Sequence, residues 1–198
     1  VDVTRLVQHR NKVKADFKAK EGYNLTFLPF FIKAIVEALK EFPEMNSMWA
    51  GDKIIRKTDI NISMAVSTDD ALYVPVIHGA DDKSIKGLAK SIHELAGKVR
   101  SGKLSSADSQ GGTLTINTTG SLGSIQSAPI SNYPQAAILA IESIVKRPVV
   151  IEQPEGDSIA IRHMVNLCLS LDHRILDGLV CGQFLASIKK KLEQFSGE

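Results

Sequence analysis

Apolar and polar positions divide the chain into short elements of two periodicities. Residues 2 to 20 set Leu6, Val7, Val13 and Phe17 among cations, which predicts a strand end feeding a short polar helix. Residues 27–43 (FLPFFIKAIVEALKEFP) are apolar except for Lys33, Glu37, Lys40 and Glu41, which share one narrow stripe. That pattern describes a helix wet along one edge and buried elsewhere. Thr26 is placed to cap it, Pro29 suits its first turn and Pro43 stops it.

Period two takes over from Ile60 to Thr68, where Ile60, Ile62, Met64 and Val66 alternate; Asp69 and Asp70 mark a turn, and residues 71–77 (ALYVPVI) return. An antiparallel hairpin is expected. After Asp82 and Ser84, the residues Ile85, Leu88, Ala89, Ile92, Leu95, Ala96 and Val99 recur at helical spacing, and Gly102 supplies the stop. Residues 103–112 read as a loop, 113–119 (TLTINTT) as a strand, 120–124 (GSLGS) as turns, and 136–144 and 148–152 as two more strands. Ile159, Ile161, His163, Val165, Leu167, Leu169 and Leu171 then occupy every second position, which predicts one long strand ahead of an amphipathic helix over residues 179–195. The order of elements predicts an α/β fold, an α+β sandwich with a mixed β-sheet flanked by helices, in a single domain over residues 1–198.

Composition narrows the field. With 198 residues, 43% of them hydrophobic and 23% charged, the chain suits one ordinary globular core. Its 24 Lys and Arg against 22 Asp and Glu leave a formal charge of +2, which gives no reason to expect nucleic acid or a membrane as partner. The longest apolar stretch, Phe27 to Leu39, is interrupted by Lys33 and Glu37, too charged and too short to span a bilayer. Cys168 and Cys181 lack any C-x-x-C spacing and read as free thiols of a reducing compartment. The cytoplasm of a bacterium or archaeon is preferred over a mitochondrial matrix.

Candidate chemistry concentrates in residues 170–178, SLDHRILDG. His173 lies just past the long predicted strand, where a rigid scaffold presents reactive side chains. An imidazole there would accept a proton from a thiol or hydroxyl near neutral pH. Asp177 meets His173 only if the intervening residues form a helical turn, and the spacing alone more often marks a surface pair. Of the other histidines, His163 reads as a core or interface residue, His9 and His93 as helix-surface residues, and His78 as bordering a loop. No pair has metal-ligand spacing with a third ligand, so no metal is expected.

Six collinear segments go further: VDVTRLVQHR, LTFLPFFIKAIVEALKEFPEMNS, INISMAVSTDDALYVPVI, GGTLTINTTGSLGS, NYPQAAILAIESIVKRPVV and LSLDHRILDGLVCGQFLASIKKKLE. Together they cover nearly the whole chain, which resembles the catalytic domain of the dihydrolipoamide acyltransferases of 2-oxo acid dehydrogenase complexes. The resemblance implies a chloramphenicol acetyltransferase-like fold and acyl transfer from S-acyl-dihydrolipoamide to coenzyme A. It implies a channel between the subunits of a homotrimer, assembly of trimers into a larger cage, and dehydrogenase components as partners. The lipoamide would ride on a separate lipoyl domain. His173 matches the family's base, and Asp177 the acid that holds the site's architecture.

The family's oxyanion donor is a Ser or Thr in a T-x-T-I-S-N-x-G type segment. Here TLTINTTG puts Asn117 where the hydroxyl is expected and Thr118 beside it, so either could donate, as could Thr119 after a small shift. By the same resemblance Arg10, Thr26, Ser67, Ser121, Glu142 and Ile144 fall where branched-chain members line the coenzyme pocket, with Ser67 replacing an acid. A branched-chain acyl group is implied. Family members usually begin earlier and extend further, so truncation at both ends is expected, with the lipoyl and partner-binding domains outside this chain. Two rival readings are a catalytically silent core scaffold and a stand-alone chloramphenicol-type O-acetyltransferase. The departure at Asn117 favours the first, retention of His173 and Asp177 opposes it, and the segments away from the histidine oppose the second.

Overall fold

The computed structural model describes residues 1–197, apart from the side chain of Ser121. Helix α1 (Thr4–Glu21) and helix α2 (Leu28–Glu41) lead into a small hairpin, β1 (Ser47–Trp49) and β2 (Ile54–Arg56). The next hairpin has an inner pair, β3 (Ile62–Met64) with β6 (Val76–Ile77), and a tip, β4 (Val66–Ser67) with β5 (Leu72–Tyr73). Then come α3 (Ile85–Arg100), β7 (Leu114–Thr118), β8 (Ala137–Ile141), β9 (Val145–Ile151), β10 (Ser158–Met164), β11 (Leu167–Leu171) and α4 (Gly178–Glu193). The main sheet is five-stranded in the order β11-β8-β7-β3-β6. β7 runs parallel to both β3 and β8, while the outer strands are antiparallel to their neighbours, so the sheet is mixed.

Helix α2 packs against α3 and α4 and is buried nearly all round. Lys33, Glu37, Lys40 and Glu41 form its wetter edge, as their stripe predicts. Phe31 of α2 and Phe184 of α4 are wholly enclosed, each stabilising the fold by ~2–3 kcal/mol relative to an exposed ring. Thr26 does not cap α2. Phe27, already helical at φ −78°, ψ −23°, is the capping residue and makes no side-chain cap. A Thr26 cap would draw on the N–H two or three positions into the helix, and one of those is Pro29, which has none.

The one long strand predicted over residues 159–171 is two strands in different sheets. β10 pairs with β9 in a separate two-stranded ribbon, and β11 pairs with β8 in the main sheet. The break falls at Val165, whose N–H donates to Val1 O at 3.0 Å while the Val1 amino group donates to Val165 O at 2.9 Å. Alternation survives the break because both strands keep the same parity, so the pattern reported facing and not partnership. On one face of the ribbon Val150 lies opposite Ile159 and Pro148 opposite Ile161, with Ile159 78% and Ile161 71% exposed. β9 also starts earlier than residues 148–152, and Glu142 to Ile144 form the turn before it.

The centre of the sheet is buried on both faces. Ser63 and Thr115 are buried with the aliphatic residues beside them, and one side chain satisfies both. Gln135 accepts from Thr115 Oγ1 at 2.6 Å, and its amide donates to Gly112 O at 3.0 Å and Ser63 Oγ at 3.4 Å. No helix among the described residues is long and apolar enough to cross a membrane. Gly112 sits so close that a Cβ there would lie 1.9 Å from Ser63 Oγ. Gly112→Ala is therefore expected to cost ~1–3 kcal/mol through this overpacking, read as a lowered midpoint in thermal unfolding.

Candidate active site

Strand β11 carries the chain to Leu171, opposite Ala137 of β8, and Asp172 extends the ladder by donating to Ala136 O at 2.8 Å. The chain then turns, with the Asp172 carbonyl accepting from Ile175 N at 2.9 Å and Leu176 N at 3.1 Å. The Asp172 carboxylate grips the turn from outside. Its Oδ1 accepts from the Arg174 backbone N–H at 3.0 Å and from Nε at 2.9 Å, and its Oδ2 from Nη2 at 2.6 Å. The same guanidinium lies 4.6 Å over the Trp49 ring. Its hydrogen bonds hold the Asp172 carboxyl below the usual carboxylate range.

His173 sits inside this clamp with its backbone held on both sides and its imidazole exposed, making no hydrogen bond among the described residues. Asp177 does not turn toward it. Its Oδ1 accepts from Val180 N at 3.0 Å and caps α4. The H-x-x-x-D spacing therefore ends a loop and starts a helix; it does not make a pair within the chain. Asp172, Arg174 and Trp49 escaped the sequence reading: the first two flank the histidine and were readable as a local ion pair, whereas nothing marks Trp49 in advance.

The second group of candidates lies elsewhere in the sheet. Asn117 and Thr118 end β7, opposite Ala140 and Ile141 of β8. Because β11 runs antiparallel to β8, His173 emerges beyond Ala137, at the other end. Three residues of strand and two strand spacings put ~10 Å along the strands and ~10 Å across them between the two positions, before the loop to His173 is added. Within one chain the histidine and the candidate donors do not meet.

Two cavities converge on the end of β7. The larger, about 770 Å³, is lined by Met64, Ser67, Asn117, Thr118, Thr119 and Ile130 among others. The smaller, about 470 Å³ and mostly apolar, is lined by Thr26, Phe27, Phe31, Gly120, Glu142 and Ile144 among others. Leu28, Ile92 and Thr118 line both, so the cavities meet beside Thr118. Of the six expected coenzyme contacts, Thr26, Glu142 and Ile144 share the smaller cavity and Ser67 lies on the larger. Arg10 lines neither cavity directly but adjoins the smaller through Phe27: its guanidinium lies 4.8 Å over that ring, and Nε donates to Leu25 O at 2.8 Å. The side chain of Ser121 lies outside the described residues. Glu142 is only 2% exposed and turns its carboxylate inward, onto the hydroxyls of Thr119 and Ser127.

Among the other histidines, His9 packs edge-on against Phe30 and Phe195 instead of lying on an open helix surface, and His93 stacks on Tyr23. Among the described residues no three His, Cys, Asp or Glu side chains are placed to hold a metal ion.

Residues 1–197 match the family of 2-oxoacid dehydrogenases acyltransferase (catalytic domain). The chain is 66% identical, over 193 residues, to the lipoamide acyltransferase component of the branched-chain alpha-keto acid dehydrogenase complex of Bacillus subtilis, covering 98% of this chain and 45% of that protein. It thus spans about half the length of that relative. A solved structure of a probable dihydrolipoamide acetyltransferase from Listeria monocytogenes is 63% identical with a TM-score of 0.96, covering 100% of this chain and 83% of that one. A structure of Azotobacter vinelandii dihydrolipoamide acetyltransferase, 37% identical with a TM-score of 0.91 over 98% of this chain and 78% of that one, is described as addressing the role of a serine, a histidine and an asparagine in catalysis. Chloramphenicol acetyltransferase superposes with a TM-score of 0.55 at 13% identity, over 97% of this chain and 85% of that one, a likeness of fold.

The Asp177 cap separates stability from charge. Asp177→Ala is expected to cost ~1 kcal/mol of stability and Asp177→Asn only a few tenths, since both Asp and Asn cap well; thermal unfolding of the two variants checks the order.

Proposed function

Because the chain belongs to the 2-oxoacid dehydrogenases acyltransferase (catalytic domain) family, we propose that it transfers an acyl group, of the branched-chain type, from S-acyl-dihydrolipoamide to coenzyme A. The observation that carries the reading is the meeting of two cavities beside Thr118. The smaller, walled by Phe27, Phe31, Ile141 and Ile144, suits the flexible arm of coenzyme A. The larger takes the acyl-dihydrolipoamide. Their junction is where thiol and thioester come together.

His173 serves as the base, supplied by a neighbouring subunit, a reading supported by the separation of His173 from the Thr118 of its own chain at the far end of the sheet. The arrangement is a homotrimer with one site at each interface. A coenzyme thiol with an ordinary pKa near ~8.5 is mostly protonated at neutral pH, and the imidazole takes its proton as the sulfur attacks. The C–S bond to coenzyme A forms while the carbonyl oxygen becomes an oxyanion. Collapse breaks the bond to the dihydrolipoamide sulfur, which recovers the proton from the imidazolium. The Asn117 amide or the Thr118 hydroxyl donates to the oxyanion, an interaction typically contributing ~3 kcal/mol to the rate.

Asp177 acts by capping α4 and so fixing where the His173 loop ends. In the Azotobacter vinelandii protein the histidine and asparagine of that description also stand four positions apart, and asparagine caps as well as aspartate does. A capping role is supported over a charge role. Arg10, Thr26, Ile144 and the backbone of Glu142 and Ser121 contact coenzyme A, with Ser67 facing the acyl side. The domain works as the catalytic core of a longer protein whose lipoyl and partner-binding domains lie outside this chain. Trimers of it build the cage of a 2-oxo acid dehydrogenase complex and meet its dehydrogenase components. The unpaired thiols of Cys168 and Cys181 suit the bacterial cytoplasm.

The test is an assay with coenzyme A and acetyl-, succinyl- and isobutyryl-dihydrolipoamide, beside His173→Ala. Wild type should prefer the isobutyryl donor, and the variant should lose ~10²–10⁴-fold in kcat. Equal inertness of both proteins while trimers still form would leave the scaffold reading standing.

A further inference from the structure

The residue after β8 is a buried carboxylate held by hydroxyls. Glu142 is 2% exposed and makes no ion pair among the described residues. Its Oε2 accepts from Thr119 Oγ1 at 2.6 Å, and its Oε1 accepts from Ser127 Oγ. Burial pushes the carboxyl pKa up, yet the hydroxyls of Ser127 and Thr119, with Ser124 and the Cys168 thiol, outweigh it and hold the group below its ordinary value. An ion this enclosed is costly unless its acceptor positions are filled. Here they are filled by the two ends of one loop.

That loop is the segment leaving β7. It follows Thr118 directly, makes a single 3-10 turn over Thr119–Leu122 and passes Ser127, with Leu122 and Ile125 exposed between. Three further contacts fasten the same spot. Ser143 Oγ donates to Gly120 O at 2.7 Å, Ser143 N donates to Ser124 O at 2.8 Å, and Gly120 approaches Glu142 so closely that a Cβ would lie 2.8 Å from its carbonyl oxygen. Thr118 is the last residue of β7 to pair, with Ile141, and among the described residues 119–127 have no sheet partner, so where Thr119 and Gly120 sit beside Thr118 in the cavity wall depends on this fastening.

We propose that Glu142 is a positioning residue for acyl transfer, its carboxylate stapling residues 119–127 so that the donor at the end of β7 and the wall of the coenzyme cavity hold their places. This rests on the acyl-transfer reading above. It also changes what Glu142 does in the site: with both oxygens turned inward it presents no charge to the coenzyme. Glutamine can stand in partly, because its amide still accepts one hydroxyl and the other hydroxyl can turn round to accept from the amide.

The experiment measures kcat and KM for coenzyme A in wild type, Glu142→Ala and Glu142→Gln, with thermal unfolding and oligomeric state recorded for each. Glu142→Ala is expected to raise KM for coenzyme A and lower kcat, each ~10-fold, with Glu142→Gln recovering to within ~3-fold of wild type. A purely structural role would lower the folded fraction and the apparent kcat while leaving KM alone. Should Glu142→Ala fail to fold, Thr119→Val and Ser127→Ala each remove one anchor without opening a large cavity, and each should raise KM ~3-fold. Active wild type with unchanged KM in Glu142→Ala, or in both anchor variants where Glu142→Ala does not fold, overturns the inference alone. Inert wild type overturns the acyl-transfer reading and this inference with it.

Discussion

The register of β8 between its two neighbours is the constraint from which the rest of the architecture follows. Every side chain from Ala137 to Ile141 is buried, and the strand bonds in parallel to β7 and antiparallel to β11. With neither face free to accept a slipped set of side chains, the pairing is pinned. Antiparallel β11 then delivers the His173 turn to one end of the sheet, while parallel β7 delivers Asn117 and Thr118 to the other. A chain so built presents the His173 turn and the Asn117–Thr118 strand end at opposite ends of one sheet.

Parallel pairing has a second consequence. Two parallel strands that follow one another must be joined by a segment that travels back outside the sheet, usually as a helix with its own internal hydrogen bonds. Between β7 and β8 that return is irregular after the 3-10 turn at Thr119–Leu122. Its backbone has to be tied down from outside, which accounts for the unusual polar residues nearby. Gln135 ties the later part to Thr115 and Gly112, Asn132 donates to Thr115 Oγ1 at 3.2 Å, and Glu142 holds the earlier part. Buried amides and a buried carboxylate take the place of helical hydrogen bonds.

Much of this was legible in the sequence. Periodicity located α2, α3 and α4, the hairpin of β3 to β6, and β7, because each element has an apolar face of its own. It could not separate β10 from β11, since alternation records which side a residue faces and carries no information on which strand lies beside it. Thr26 looked like a cap by residue type, and the proline at one of the positions such a cap would serve defeated it. His173 was conspicuous as a titratable group after a strand. The clamp around it was not, because the stacking of Arg174 on Trp49 joins residues far apart in the chain. Glu142 read as a pocket residue by position, and only its hydrogen-bond partners, distant in sequence, showed the carboxylate facing inward.

The β9 and β10 ribbon bears on how the chain behaves in solution. Two strands alone are only marginally stable in water, and this pair shows Val150, Ile159 and Ile161 to solvent. Such a surface is adhesive toward any unfolded or half-folded chain it meets. The tendency of the chain to aggregate is therefore set by how long this ribbon stays uncovered, which makes concentration and time, more than the stability of the core, the variables that govern its solubility.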